Sequence, residues 1–277
     1  MPKTILYKEK LFKVYDLPDI LSNDYKNGFI IRSKLFLSHF NKFIYALNRV
    51  DKDYYVFDLN HKITNELQKG NSSNKQMEAL KQTERVFAYE LYHQWSCNLC
   101  HSEGWVLNGE SRKNIEYFCD QQPKGKQKGN LRNYPDMILH KGQSKDGQLI
   151  ICEIKRKDRI KMDFVKDIKS LSLFVDPPNN NDDTLFKPFK CGIFLAFCSD
   201  FDYMITTIFD KWNTLKKNEI DKKCYDKIIC VTSNCNEKNN DIDISFQSLG
   251  EILRQLKYYG FIQDKEIINK KTQSKTK

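Results

Sequence analysis

Two short apolar runs, Met137 to Leu139 and Leu149 to Ile154, flank a Gly- and Asp-rich tract, KGQSKDGQ, a pattern that predicts two adjacent strands joined by a hairpin turn. Side chains alternate across a strand, so Glu153 and Lys155, two positions apart, share one face. Asp136 follows Pro135, whose missing amide hydrogen suits the start of a strand. Further along, Phe189 to Phe197 and Lys227 to Ser233 are continuous apolar runs separated by helical patterns, which predicts a sheet covered on both faces. Helical spacing occurs over Ser33 to Val50 (Leu37, Phe40, Ile44, Leu47), over the segment following Arg156 (Phe164, Ile168, Leu171, Val175), over Asp200 to Leu215, and over FQSLGEILRQLKYYG near the end. Short strands are expected at DYYVFDL (Asp53 to Leu59), WVLNGE and NIEYFCD.

A long helix is expected after the break KGNSSN, opened by a capping box of Ser73 with Gln76. Its apolar stripe contains Met77, Leu80, Phe87, Ala88, Leu91 and Trp95, and Glu84 lies in the middle of that stripe. Such a carboxylate either pairs with a core Lys or Arg or is aimed at the same place as Asp136 and Glu153. Glu90, on the flank of the stripe, is the reserve candidate. Before Asp136 the polar tract around QPKGKQKGN carries Lys124, Lys126, Lys128 and Arg132. This is either a solvated loop or a phosphate-contacting one, with Arg156 and Lys157 as further cations just beyond Lys155.

Charge and cysteine usage narrow the classes. The formal net charge is +10, which favours an anionic partner such as nucleic acid. The N-terminal MPKTILYKEK is too charged for a secretory signal, and the apolar run Cys191 to Cys198 is far too short for a bilayer. Nine cysteines in such a chain predict reduced thiols and a soluble intracellular protein, cytoplasmic, or nuclear in a eukaryote. Cys97, Cys100 and His101 spell C-x-x-C-H, but neither an export signal for haem attachment nor a second Cys/His pair for zinc accompanies them. Phosphate-binding glycine loops, H-E-x-x-H and G-x-S-x-G are all absent from the sequence.

Pro135-Asp136 followed by Glu153-x-Lys155, with Glu84 on the preceding helix, resembles the PD-(D/E)XK nuclease superfamily. The resemblance covers roughly Ser73 to Phe197 and includes the element order helix, strands, helix, strand. It implies an α/β fold with a restriction-endonuclease-like core, a mixed central sheet flanked by helices. On this reading residues 1–70 are a small N-terminal extension, 71–262 the nuclease-like domain and 263–277 a basic disordered tail. It also implies a Mg²⁺- or Mn²⁺-dependent endonuclease in which Asp136, Glu153 and the carbonyl of Ile154 hold the metal. Lys155 would orient the attacking water or stabilise developing charge, and Glu84 would complete the carboxylate shell. DNA is the expected substrate, with RNA, a homodimer and a protein-complex partner left open, and no membrane association. The rival class is a basic nucleic-acid-binding or assembly protein without catalysis, in which Glu153 and Lys155 form a structural ion pair. Removal of either member would then cost about 3 kcal/mol or more, whereas a purely catalytic Lys155 would be removable without loss of stability.

Overall fold

A computed structural model describes residues 3–22, 24–27, 32–55, 72–99, 103–109, 135–142, 147–176, 187–217, 222–236 and 241–263, with side chains of the long helix from residue 83 onward. Alternating apolar and charged residues at the N-terminus form the antiparallel hairpin β1 (Lys3–Tyr7) and β2 (Lys10–Asp16), followed by the short helix α1 (Leu17–Ser22). The predicted helix over Ser33 to Val50 is α2 (Lys34–Asn48), and the long helix is α3 (Ser72–Cys97). Next come β3 (Trp105–Asn108), β4 (Met137–Lys141), β5 (Gln148–Arg156), α4 (Lys157–Val175), β6 (Cys191–Phe197) and α5 (Phe201–Lys217). The chain continues through the one-turn α6 (Lys222–Tyr225), β7 (Ile228–Cys235), β8 (Ile242–Ser248) and α7 (Leu249–Tyr258).

All eight strands join one mixed sheet in the order β1-β2-β8-β7-β6-β5-β4-β3. β5, β6 and β7 run parallel, and the remaining neighbours pair antiparallel. The apolar runs that lack alternation are the central strands: β5 and β6 are buried on both faces except at Arg156. One face carries α2 and α3, whose Phe40, Phe43, Phe87, Leu91 and Trp95 share a core with Ile150, Cys152, Ile154, Leu195 and Phe197. The other carries α4, α5 and α7, with Phe164, Ile168, Leu171, Ile205, Ile208 and Leu253 packed around Ile151, Phe194 and Cys230. The result is an α/β three-layer arrangement with a mixed sheet between helices.

Three expectations change on this architecture. The described stretches of the first 70 residues supply β1, β2 and α2 to the common sheet and core, because Tyr15 and Asp16 pair with Phe246 and Ser245, and the Phe40 and Phe246 rings lie 5.2 Å apart. They are built in rather than appended. Where DYYVFDL predicts a strand, Lys52–Tyr54 is a 3-10 turn, and the rest of that stretch lies outside the described residues. The final helix starts at Leu249, since Phe246 to Ser248 end β8; Ser248 caps the helix by accepting a hydrogen bond from the Glu251 amide. The expected strand NIEYFCD and the tail beyond Gln263 are outside the described residues. Among the described residues no helix is long and apolar enough to cross a membrane.

Two packing contacts aim the helices at the end of β5. The Phe87 ring stacks on Phe197 with centroids 4.0 Å apart, which fixes α3 over the carboxyl ends of β5 and β6 and brings Glu84, one turn earlier, to that rim. Gly192 in β6 lets α4 approach closely: a Cβ there would stand 3.3 Å from Leu171 Cβ. Gly192→Val is therefore expected to push α4 outward and cost about 1–3 kcal/mol through overpacking. A lowered midpoint in urea denaturation, with the slope unchanged, checks this.

Candidate active site

The site forms where β4 begins and β5 ends. Asp136 precedes β4 in antiparallel register with β5, where Met137 faces Cys152, so its carboxylate reaches across and accepts a 2.6 Å hydrogen bond from the Ile154 amide. Strand alternation places Glu153 and Lys155 on the same side, as the sequence predicts. Both are buried, Glu153 at 4% exposure, and their charged atoms lie 3.8 Å apart. The Lys155 ammonium also stands 3.8 Å from Asp136, 3.5 Å from Asp167 on α4, and donates a 3.0 Å hydrogen bond to the Ile154 carbonyl. It is thus the cation among three carboxylates and a carbonyl.

Glu84 arrives from the opposite layer. One of its oxygens accepts from the Arg156 amide at 3.1 Å, and the other pairs with the guanidinium of Arg159, which also holds Asp163 one turn further along α4. Both alternatives for Glu84 therefore meet in one place: it pairs with a core arginine and lines the same cleft as Asp136 and Lys155. Glu90 instead accepts from Gln94 at 2.6 Å and lies 3.8 Å from His93, along its own helix. The cleft has a volume of ≈ 180 Å³, and its walls include Arg85, Tyr89, Tyr92, Ile154 and Arg159.

Five carboxylates (Glu84, Asp136, Glu153, Asp163, Asp167) face two cations here, Lys155 and Arg159. Loss of water raises the proton affinities of the buried carboxylates, and the neighbouring charges work with or against it. Burial pushes Glu84 up to about 7 against the pull of Lys155 and Arg159, and Asp167 up to about 6 against Lys155. Burial, reinforced by the charge of Asp136, drives Glu153 well above the ordinary carboxylate range. Burial alone would lower the Lys155 ammonium, but Asp136, Asp167, Glu153 and Glu84 outweigh it and hold the proton more tightly than usual.

Hard oxygen donors with surplus negative charge suit a divalent cation of the Mg²⁺ kind. Asp136, Glu153 and the Ile154 carbonyl are all within 4 Å of the Lys155 ammonium. Among the described residues, however, no three acidic, histidine or cysteine side chains form a ready cage for a metal ion, because the ammonium stands among the oxygens. The donor chemistry fits the cation; the side-chain arrangement is closed on Lys155.

The remaining predicted residues fall elsewhere. Arg156 is largely buried, with its Nε 3.3 Å from Asp158, and Lys157 sits 3.5 Å from Asp200 and over the Tyr203 ring. Lys124, Lys126, Lys128 and Arg132 lie outside the described residues, as do Cys100 and His101; Cys97 is an exposed thiol. Arg159, Asp163 and Asp167 went unrecognised in the sequence, although Asp167 falls on the buried stripe of α4 beside Phe164, Ile168 and Leu171. Comparisons with protein-family models, with curated proteins and with solved structures found no match to this chain.

Proposed function

We propose that the chain is a metal-dependent nuclease of the PD-(D/E)XK type that hydrolyses DNA phosphodiester bonds. The observation that carries this reading is the convergence of Asp136, Lys155 and Ile154 in the lining of a cleft at the carboxyl end of β5, with the buried Glu153 carboxylate 3.8 Å from the Lys155 ammonium. The succession α3, antiparallel β3-β4-β5, α4, β6 supports it, because that is the order the resemblance implies for a restriction-endonuclease-like core. Asp136, Glu153 and the Ile154 carbonyl would hold Mg²⁺ or Mn²⁺, which when bound supplies an activated water and neutralises charge on the phosphoryl oxygens. Lys155, released from some of its carboxylate partners, orients the attacking water through its N–H donors and balances charge building on phosphorus. Glu84 fixes Arg159 in the cleft wall, where the guanidinium can receive a phosphate. Asp167 holds the Lys155 ammonium on the α4 side of the site.

One observation favours a second reading. Lys155 is shared among three carboxylates, as a structural ion cluster would be, and a basic nucleic-acid-binding protein without catalysis would retain such a cluster. The two are separated by supercoiled plasmid and Mg²⁺. The nuclease is expected to nick or linearise the plasmid, and Asp136→Asn to slow this by about 10²-fold or more. Mg²⁺ should raise the melting temperature of the wild type and not of the variant. Equal melting shifts in both, with intact plasmid, would remove the metal site and the nuclease reading together.

A further inference from the structure

The cleft has a second wall that the metal chemistry does not use. Along α3, Glu84, Ala88 and Tyr92 follow one another at four-residue spacing, with Arg85 and Tyr89 on the adjoining line, and all five border the cleft. From the centre outward this wall presents charge first and rings after, at a separation of about 6 Å for one four-residue step along the axis. Ala88, the smallest of them, leaves the space between. Tyr92 is fixed: its hydroxyl donates to the Leu107 carbonyl at 3.2 Å. Its ring also lies against Gly109, where an added Cβ would stand 3.4 Å from Cδ2. Tyr89 is 60% exposed beside it.

Taken alone, an exposed tyrosine is an ordinary surface residue. Here two rings stand on the same wall as Arg85, and Arg159, Lys155 and Asp136 also line the cleft. Cations next to a π-face are what a nucleotide needs, one for its phosphate and the other for its base. A base can stack on a side chain only if a neighbouring base does not already cover that face, which excludes the interior of an intact duplex.

We propose that Tyr89, with Tyr92 behind it, stacks an unpaired base adjacent to the phosphate at the Lys155 centre, so that the preferred substrate is single-stranded DNA or a single-stranded stretch within it. This rests on the nuclease reading above. Tyr89 thereby sets substrate class, while Asp136, Glu153 and Lys155 handle the phosphate.

The test uses the full chain in EDTA, so that nothing is cut, and a short oligodeoxynucleotide containing 2-aminopurine. Single-stranded probe is expected to bind more tightly than the same sequence as a blunt duplex, with fluorescence quenched by stacking. Tyr89→Ala should weaken single-strand binding about 5- to 100-fold and relieve the quench, whereas Tyr89→Phe and Tyr89→Trp should keep both. Duplex binding should be unmoved by Tyr89→Ala. Wild-type affinity and quench in Tyr89→Ala, or equal binding of both probes by the wild type, overturns the inference. If Mg²⁺-dependent cleavage abolished by Asp136→Asn persists in that case, the nuclease reading stands without it. If the wild type neither binds nor cuts either form, both fall.

Discussion

Lys155→Met is expected to abolish cleavage and, in buffer free of divalent cations at pH 8, to cost about 3–5 kcal/mol of folding stability. A catalytic role by itself predicts no such cost, since a side chain that serves only chemistry can be removed without harm. The network makes the difference: the ammonium lies within 4 Å of Asp136, Glu153 and Asp167, and all three carboxylates are wholly or largely shielded from water. Methionine fills much the same volume but leaves those charges facing one another. They respond by taking up protons, so the cost should shrink toward pH 5, where Glu153 and Asp167 are already protonated in part. Urea denaturation at the two pH values measures this. Divalent cation then separates the functional readings. With Lys155 gone, the oxygens it neutralised can accept Mg²⁺, which should restore a large part of the lost stability if they are metal ligands. With the ammonium in place a structural cluster has no reason to respond, so a Mg²⁺-dependent gain in the wild type as well is what marks metal ligands. A variant as stable as the wild type at pH 8 would show that the ammonium does not hold this end of β5 together.

How far the site could be read in the sequence depends on the range of the forces that make it. Asp136, Glu153 and Lys155 meet across the antiparallel pair β4–β5, two strands close together in sequence, and period two fixes the face. Glu84 was legible for a similar reason, because a carboxylate inside an apolar helical stripe must find a partner. Asp167 gives the same signal on α4 beside Phe164, Ile168 and Leu171, but it is diluted by a segment crowded with Lys and Asp, most of them solvated. That it faces Lys155 depends on how α4 crosses the sheet, which the close approach of Leu171, one turn further along the same helix face, to Gly192 helps decide. Arg159 is harder still, since its partner Glu84 lies 75 residues away on the other layer of the fold.

The sheet shows the same division. β5, β6 and β7 are continuous apolar runs because both faces are covered, and they were readable as such. β8 is not: Ile242, Ile244 and Phe246 alternate as a strand should, but the run passes straight into the amphipathic α7. The Ser248-x-x-Glu251 pair that caps α7 marks the boundary and was available to find it. β1 and β2 alternate too, among so many lysines that the pattern resembles a solvated surface. Their place in the sheet is set by two residue pairs with β8, more than 200 positions away, a contact with no local signature.

The second large effect concerns pH. In cation-free buffer, folding stability is expected to fall by about 3 kcal/mol between roughly pH 4.5 and 7 on account of Glu84 alone. The sign follows from burial. Glu84 is held up to about 7 when folded, mainly by loss of water, against an ordinary value of 4.5. The folded state therefore binds the proton more tightly than the unfolded state, and stability declines as pH rises through this window. Its contribution is complete below the unfolded value and gone above the folded one. Asp167, raised to about 6, and Glu153, raised further, act in the same direction. Lys155 does not offset them in this range, because its tightened proton affects stability only at alkaline pH. Most proteins lose stability on acidification as paired carboxylates are neutralised; this site works the other way and should flatten or reverse that loss. Glu84→Gln keeps an acceptor for the Arg156 amide at 3.1 Å while removing the charge. It is expected to be less sensitive to pH between 4.5 and 7 than the wild type and at least as stable at pH 8, despite losing the ionic partner of Arg159. Denaturant titrations of both proteins across pH 4.5 to 8 give the comparison. Parallel curves for wild type and Glu84→Gln would mean that Arg159 neutralises Glu84 fully at all pH values, and that no excess negative charge is stored at this end of the sheet to draw a cation in.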